Sequence, residues 1–322
     1  MASSSEALPL EQYYLAPEVS RFEKYRRNLF RFIRHKPLGA FGGLIVILML
    51  FMAIAPSVFA THEANPTPPP IIDRLQGPSG EHWMGTDQQG RDVYSRIVYG
   101  ARTSIVIGFL VVAVSATLAS FIGTVSGYFG GLFDMLAQRL VDIGIALPGL
   151  IFIILVVTSM TQFPPDFIAD PLGLEPSGRV VFRIAISLGI LVALGSSRVI
   201  RGAAISAKQN TYVEAARVVG ATDGRIMWKH IFPNVFAVVL VSASIQIGGA
   251  ILTESSLAFL GYGVQPPTPS WGRMLNEARE YLVRYPHLAI FPGAAIFLAV
   301  YSFNMLGDAL RDVLDPRLRG SR

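Results

Sequence analysis

The sequence predicts an all-α polytopic membrane protein, a six-transmembrane-helix bundle with both chain ends on the cytoplasmic side. Three observations carry this expectation. The 322 residues are 52% hydrophobic and only 15% charged, with a mean hydropathy of +0.47. Six apolar stretches stand at roughly 38–60, 103–126, 143–160, 180–200, 235–258 and 288–306. Each is close to the length with which one helix crosses the hydrocarbon core, and only structures that satisfy their own backbone amides can cross. The basic residues, finally, alternate in density from loop to loop. They crowd the stretch before the first span (Arg21 to Lys36), the insert after the fourth (Arg198 to Lys229) and the tail after the sixth. The positive-inside bias therefore places the termini and the 201–234 insert in the cytoplasm. The net charge of +5 follows the membrane in this way, and no nucleic-acid partner is expected.

Along the chain, residues 1–37 form a cytoplasmic N-terminal tail. Residues 1–20, with Ser3, Ser4, Ser5, Pro9 and Pro17, lack a periodic apolar pattern and are expected to be disordered. In 21–36, Phe22, Tyr25, Leu29, Phe30 and Ile33 fall on one helical face among basic residues, an amphipathic helix for the lipid surface in preference to an ATPase. The span 38–60 is too long, and starts too late, for a cleaved signal peptide, so it is read as retained. Residues 61–98 form an external segment, extended around Pro66, Pro68, Pro69 and Pro70. Towards its end Asp92 is a plausible N-cap for a short interfacial helix bearing Val93, Tyr94, Ile97 and Val98. Residues 99–308 hold the remaining spans, and 309–322 the cytoplasmic tail. Gly123-x-x-x-Gly127 and Gly248-Gly249 suit close helix packing in lipid. Pro148 should kink the third span.

The insert 201–234 reads as a lever. Thr211 and Glu214 have the spacing of a capping box, Ala215 and Ala216 give a flat helical surface, and Gly220 sits where a C-terminal glycine stops a helix. Thr222 and Asp223 offer a second N-cap, with a second short helix running to a stop at Pro233.

The run Glu214-Ala215-Ala216, Gly220 and Pro233 resembles the EAA loop of membrane subunits of bacterial ABC importers. It departs from the general pattern at His230 and Phe232. The wording His230-Ile231-Phe232-Pro233-Asn234 is similar to the dipeptide/oligopeptide branch. So are Gly85-Thr86-Asp87 with Gly90-Arg91-Asp92 and Ser95-Arg96, Leu257 to Gly263 followed by Trp271-Gly272, and Ser302 to Asp308 with Asp315-Pro316-Arg317. The resemblance is to DppC/OppC-type permeases and covers most of the chain beyond residue 20. It implies the type I ABC importer fold and four kinds of partner: a second homologous permease subunit, two ATP-binding subunits, an external solute-binding protein and membrane lipid. Closure of the ATPase pair would move the docked helix 212–220 and tilt the attached spans between inward- and outward-facing states. Glu214, Ala215, Ala216, Gly220, Asp223 and Pro233 are the ATPase-coupling residues on this reading.

Gln246 and Glu254 are candidates for lining the path. A carboxylate deep in the bilayer is costly and should face protein or a watery cavity. Glu254 could attract a peptide ammonium, but a structural bond to a loop amide or to an arginine of 85–102 is favoured. Asp134, Arg139 and Asp142 read as a solvated ion-pair cluster at the cytoplasmic edge. No enzyme is expected. The chain has no cysteine, no P-loop and no serine-nucleophile elbow, and its histidines read as isolated, so no catalytic or metal residue is assigned. ATP and Mg would reside on partner subunits. The alternative is a proton-coupled secondary transporter using Glu254 and Asp142.

Overall fold

The computed structural model describes residues 21–66, 71–171 and 173–314. The expected disorder of 1–20, the extended prolines 68–70 and the end of the C-terminal tail fall outside the described residues. Helices dominate: α1 (Arg21–His35), α2 (Pro37–Ile54), the single turn α3 (Pro56–Phe59), α4 (Val93–Phe129), α5 (Gly131–Ala146), α6 (Gly149–Ser159), the single turn α7 (Asp166–Ala169) and α8 (Pro176–Lys208). Then come α9 (Thr211–Val218), the short α10 (Asp223–Arg225), a π-helical turn (Ile226–Ile231), α11 (Phe232–Phe259), α12 (Trp271–Ala278) and α13 (His287–Leu314). Among the described residues no strand occurs; one isolated bridge joins Thr86 and Asp92.

Five helices are long and apolar enough to span a membrane, and the bent pair α5–α6 makes a sixth if counted as one crossing. Their outer faces carry Leu44, Leu140 and Leu155 exposed to 65, 70 and 61%. Such breadth of exposed apolar surface suits lipid or a partner helix rather than water.

The third span is not the single kinked rod expected over 143–160. Leu147 before Pro148 adopts extended backbone, ψ 136°, because the proline ring disfavours the helical region for its predecessor. The axis turns by 92° there. Only the 11 residues of α6 follow the break, about 16 Å of helix against a core of about 30 Å.

The second span also differs. It begins ten residues earlier than expected, as α4, and runs 37 residues without a break, about 55 Å. Asp92 caps it, accepting from the Ser95 amide at 2.7 Å. No separate interfacial helix forms, because Val93, Ile97, Val98, Ala101 and Ile105 continue one buried stripe.

Packing relies on close approaches. α4 and α8 run parallel: a Cβ on Gly123 would lie 2.6 Å from the Ser197 carbonyl oxygen, and one on Gly127 2.9 Å from that of Arg201. The Gly123/Gly127 pair thus works as its spacing implied. α13 lies antiparallel to α11, with Gly248 against Val300 and Gly307 against Ile245, and antiparallel to α2, with Gly42 against Ser302. Gly249 meets nothing. One apolar cluster joins α2, α12 and α13 to α4 and α11, and another joins α6 to α4, α8 and α11. A third, around Val213, Ala216, Ile226 and Ile231, lies at the end of the bundle where α4 and α8 finish.

Candidate functional site

The α9 turn projects from that end. Its N-terminus does not form the expected capping box. Asn210, in extended conformation, is the cap residue and provides no side-chain cap bond. Its amide instead donates to the Ala207 carbonyl at 3.0 Å and so closes α8. Thr211 is already inside the helix, one position too late to cap it.

The C-terminus follows the sequence expectation. Gly220 has φ +80°, the Ala221 amide donates to the Ala216 carbonyl, and the Gly220 amide donates to that of Arg217, both at 3.0 Å. This pair of bonds is a Schellman motif, which favours glycine at the left-handed position.

The two alanines face opposite ways. Ala215 is exposed with Glu214, whereas Ala216 is buried with Val213 against the apolar cluster beneath. The flat outer surface expected from both therefore rests on Ala215 alone. The tip consists of Val218 and Val219, 87 and 83% exposed, between the exposed Arg217 and Gly220.

Tyr128, in the last turn of α4, anchors this turn. Its hydroxyl donates to Asp223, and its ring lies beneath two cations, Lys208 Nζ at 5.4 Å and Arg217 Cζ at 5.7 Å. Lys208 also donates to the Tyr128 carbonyl, as a basic group suits a helix C-terminus. The sequence reading missed Tyr128. The available signal was an amphipathic phenol at the end of an apolar span, which needs a polar partner when buried. Arg201 forks onto Asp134, with Nε–Oδ1 at 2.6 Å, and Arg198 pairs with Asp142. Of the expected local cluster, Arg139 and Asp142 remain an exposed pair at 3.8 Å, while Asp134 is largely buried and joins α5 to α8 through Arg201.

Pro233 does not end the second short helix. The helix continues from Asp223 through Phe259, with Pro233 in the first turn of α11. The π turn makes this feasible: the Phe232 amide reaches back to the Met227 carbonyl, shifting the register just where proline cannot donate. The Asn234 side chain donates to the His230 carbonyl at 2.7 Å. α9 and span α11 are consequently linked without an intervening loop longer than 219–222.

Gln246 and Glu254 lie farther along α11, about 20 and 31 Å from Pro233, so the two groups of candidate residues are not brought together. Gln246 bridges three helices, donating to Ser196 Oγ at 3.0 Å and accepting from Ser115 Oγ at 3.2 Å. Glu254 is fully buried. Among the described residues neither an arginine nor a loop amide meets it. The hydroxyls of Ser255, Ser104 and Ser270 are its polar neighbours, and Oε1 has no hydrogen-bond partner.

Arg91 and Arg96 are committed elsewhere. Asp87 accepts the amides of Gln89 (2.8 Å) and Arg91 (3.0 Å), Arg91 Nε (2.7 Å) and Arg96 Nη1. Glu277 of α12 accepts Arg91 at 3.1 Å and Arg96 at 3.2 Å on one oxygen, and Arg273 at 3.1 Å on the other. This network is buried. Burial pushes the Asp87 carboxyl above its ordinary value, against the pull of Arg96. The Gly-Thr-Asp and Gly-Arg-Asp signature is thereby a lock between the 85–92 turn, α4 and α12. Nearby Trp271 is buried and donates its indole N–H to the Ile97 carbonyl at 3.0 Å.

The histidines are not all isolated. The rings of His62 and His82 lie together with centroids 4.7 Å apart and planes tilted by 35°, and both approach Asp92.

Residues 119–320 match the family described as binding-protein-dependent transport system inner membrane component. A glutathione transport system permease protein GsiD of Pectobacterium atrosepticum is 39% identical over 90% of this chain and 90% of its own length. A dipeptide transport system permease protein DppC of Alkalihalophilus pseudofirmus is 36% identical over 91 and 90%. A GsiD of Escherichia coli is 37% identical over 91% of each.

Proposed function

The chain belongs to the binding-protein-dependent transport system inner membrane component family, and on that premise we propose that it forms half of the pore of an ATP-driven importer for peptides or peptide-like solutes. Relatives named for glutathione and dipeptide transport support that solute class. The chain resides in the inner membrane with both termini and α9 in the cytoplasm, paired with a second permease subunit. Two ATP-binding subunits, carrying ATP and Mg, supply the energy, and an external solute-binding protein delivers the cargo.

One observation carries the coupling role: α9 is a short helix presenting exposed valines while its base is tied to α4, α8 and α11. A helix of eight residues is marginal by itself. Held from beneath by Val213, Ala216 and Tyr128, it can transmit a push into α11, whose first turn is continuous with the π turn. Glu214, Ala215 and Gly220 form the outward part of this device, and Ala216, Asp223 and Pro233 its seat.

The absence of cysteine makes the test clean. Val219→Cys, carrying a thiol-attached photo-crosslinker, should form an adduct with the ATP-hydrolysing subunit. Val283→Cys, on the fully exposed turn before α13, should not, and an impermeant thiol reagent applied to intact spheroplasts should label only Val283→Cys. Labelling of Val219→Cys from outside, or uptake that survives ATP depletion and collapses with an uncoupler, would overturn the reading.

A further inference from the structure

We propose that His62, His82 and Asp92 form a binding site for one transition-metal dication, with zinc the best match. One nitrogen of each ring and one carboxylate oxygen lie within 4.8 Å of one another. Donors around a tetrahedral zinc are spaced at about 3.4 Å, given bonds near 2.0–2.1 Å. His82 Nδ1 is 3.0 Å from Asp92 Oδ1, and His62 Nδ1 is 3.9 Å from Asp92 Oδ2. Small ring rotations bring all three onto one ion.

The three donors come from separate segments, yet their backbones are fixed relative to one another. The His62 amide donates to Ser95 Oγ at 2.9 Å. The Ser95 amide in turn donates to Asp92 Oδ2 at 2.7 Å. The Gly85 amide donates to the His82 carbonyl at 2.9 Å and the Val93 amide to the Gly85 carbonyl at 3.0 Å, which ties the His82 turn to α4. Oδ2 is thus engaged in capping α4, while Oδ1 faces His82 and is free to change partner. On binding, the ion takes the place of the hydrogen bond between His82 Nδ1 and Asp92 Oδ1, and the neutral ring then carries its proton on Nε2.

The surroundings call for positive charge. The cluster borders a cavity of about 250 Å³. Glu63, Asp73 and Glu81 also line it, and among the described lining residues there is neither lysine nor arginine. Four carboxylates without a basic counter-charge favour a cation, and two imidazoles select zinc and its neighbours over magnesium or calcium, which prefer oxygen. The fourth position opens to the cavity, where water or Glu63 would complete a tetrahedron. The ion would staple the segment after α3 and the 79–85 turn to the first turn of α4.

The test uses the full chain with its co-purified partners in nanodiscs, prepared without a polyhistidine tag and stripped with chelator. Titration with zinc chloride should show a saturable site at one equivalent per chain. Cobalt(II) at the same stoichiometry should give the visible absorption of a low-symmetry nitrogen/oxygen site. His62→Asn and His82→Asn should each weaken binding by at least tenfold, and His230→Asn, at the opposite end of the bundle, should not. His62 is the more exposed ring, so its variant decides if His82→Asn fails to fold. Absence of saturable binding, or equal affinity in His62→Asn and wild type, overturns the proposal.

Discussion

Tyr128 at the end of α4 donates its hydroxyl to Asp223, which stands five residues beyond the end of α9. The bond ties the base of the exposed turn to the 37-residue helix α4. Tyr128→Phe keeps the ring under Lys208 and Arg217 but removes the donor, at a cost of about 0.5–1.5 kcal/mol. The assembled transporter should still hydrolyse ATP, with fewer solute molecules imported per ATP. Proteoliposome uptake measured beside phosphate release reads this ratio, and an unchanged ratio would remove Tyr128 from the coupling path.

Gly220 meets no atom that a Cβ would touch, so the effect of replacing it is conformational. At φ +80° an L-residue is strained by about 1–3 kcal/mol. Gly220→Val should deform the tip and lower uptake without loss of membrane insertion. Gly220→Asn, which tolerates the left-handed region better, should retain most of it. Equal uptake by both variants would show that the Schellman turn is dispensable.

The opposite faces of Ala215 and Ala216 predict opposite defects. Ala216→Leu overpacks the cluster of Val213, Ile226 and Ile231 and should destabilise by about 1–3 kcal/mol, seen as a lower melting temperature. Ala215→Leu should leave the melting temperature unchanged and weaken retention of the ATPase subunit during purification. A reversed pattern would mean that α9 is rotated in the working assembly.

Glu277 accepts from three arginines in a largely buried setting. Glu277→Ala leaves Arg91 and Arg96 partly uncompensated, and breaking a buried pair from one side costs about 3–5 kcal/mol. Thermal unfolding in detergent should show a loss of that order. The same change made with Arg273→Ala should lose less than the sum of the two single variants.

Glu254 carries an oxygen with no partner inside the bundle. Glu254→Gln removes the charge while keeping the shape, so stability should hold or rise and uptake should persist. Uptake abolished in a variant of intact stability would assign the carboxylate a direct role with the solute.

Much of this was legible in order along the chain. The apolar runs, the Asp92 cap, the Gly220 stop and the Gly123/Gly127 seam depend on neighbours within a turn or two, or on a membrane-length average. Hydropathy is blind to bends, which is why Leu147–Pro148 looked like a kink in one span and proved to be a 92° corner. Proline likewise suggested a helix end at 233, where a π turn let the helix pass.

The amino-acid order alone determined an all-helical membrane chain, its polar 201–234 insert and the helix stop at Gly220. Only the tertiary structure decided which alanine of the lever faces outward, that Asp87 and Glu277 share their arginines, and that His62 meets His82 and Asp92. The physical reason is range. Caps and spans are fixed by bonds among near neighbours, whereas Arg91 and Glu277 lie 186 positions apart and meet only because packed helices bring them together.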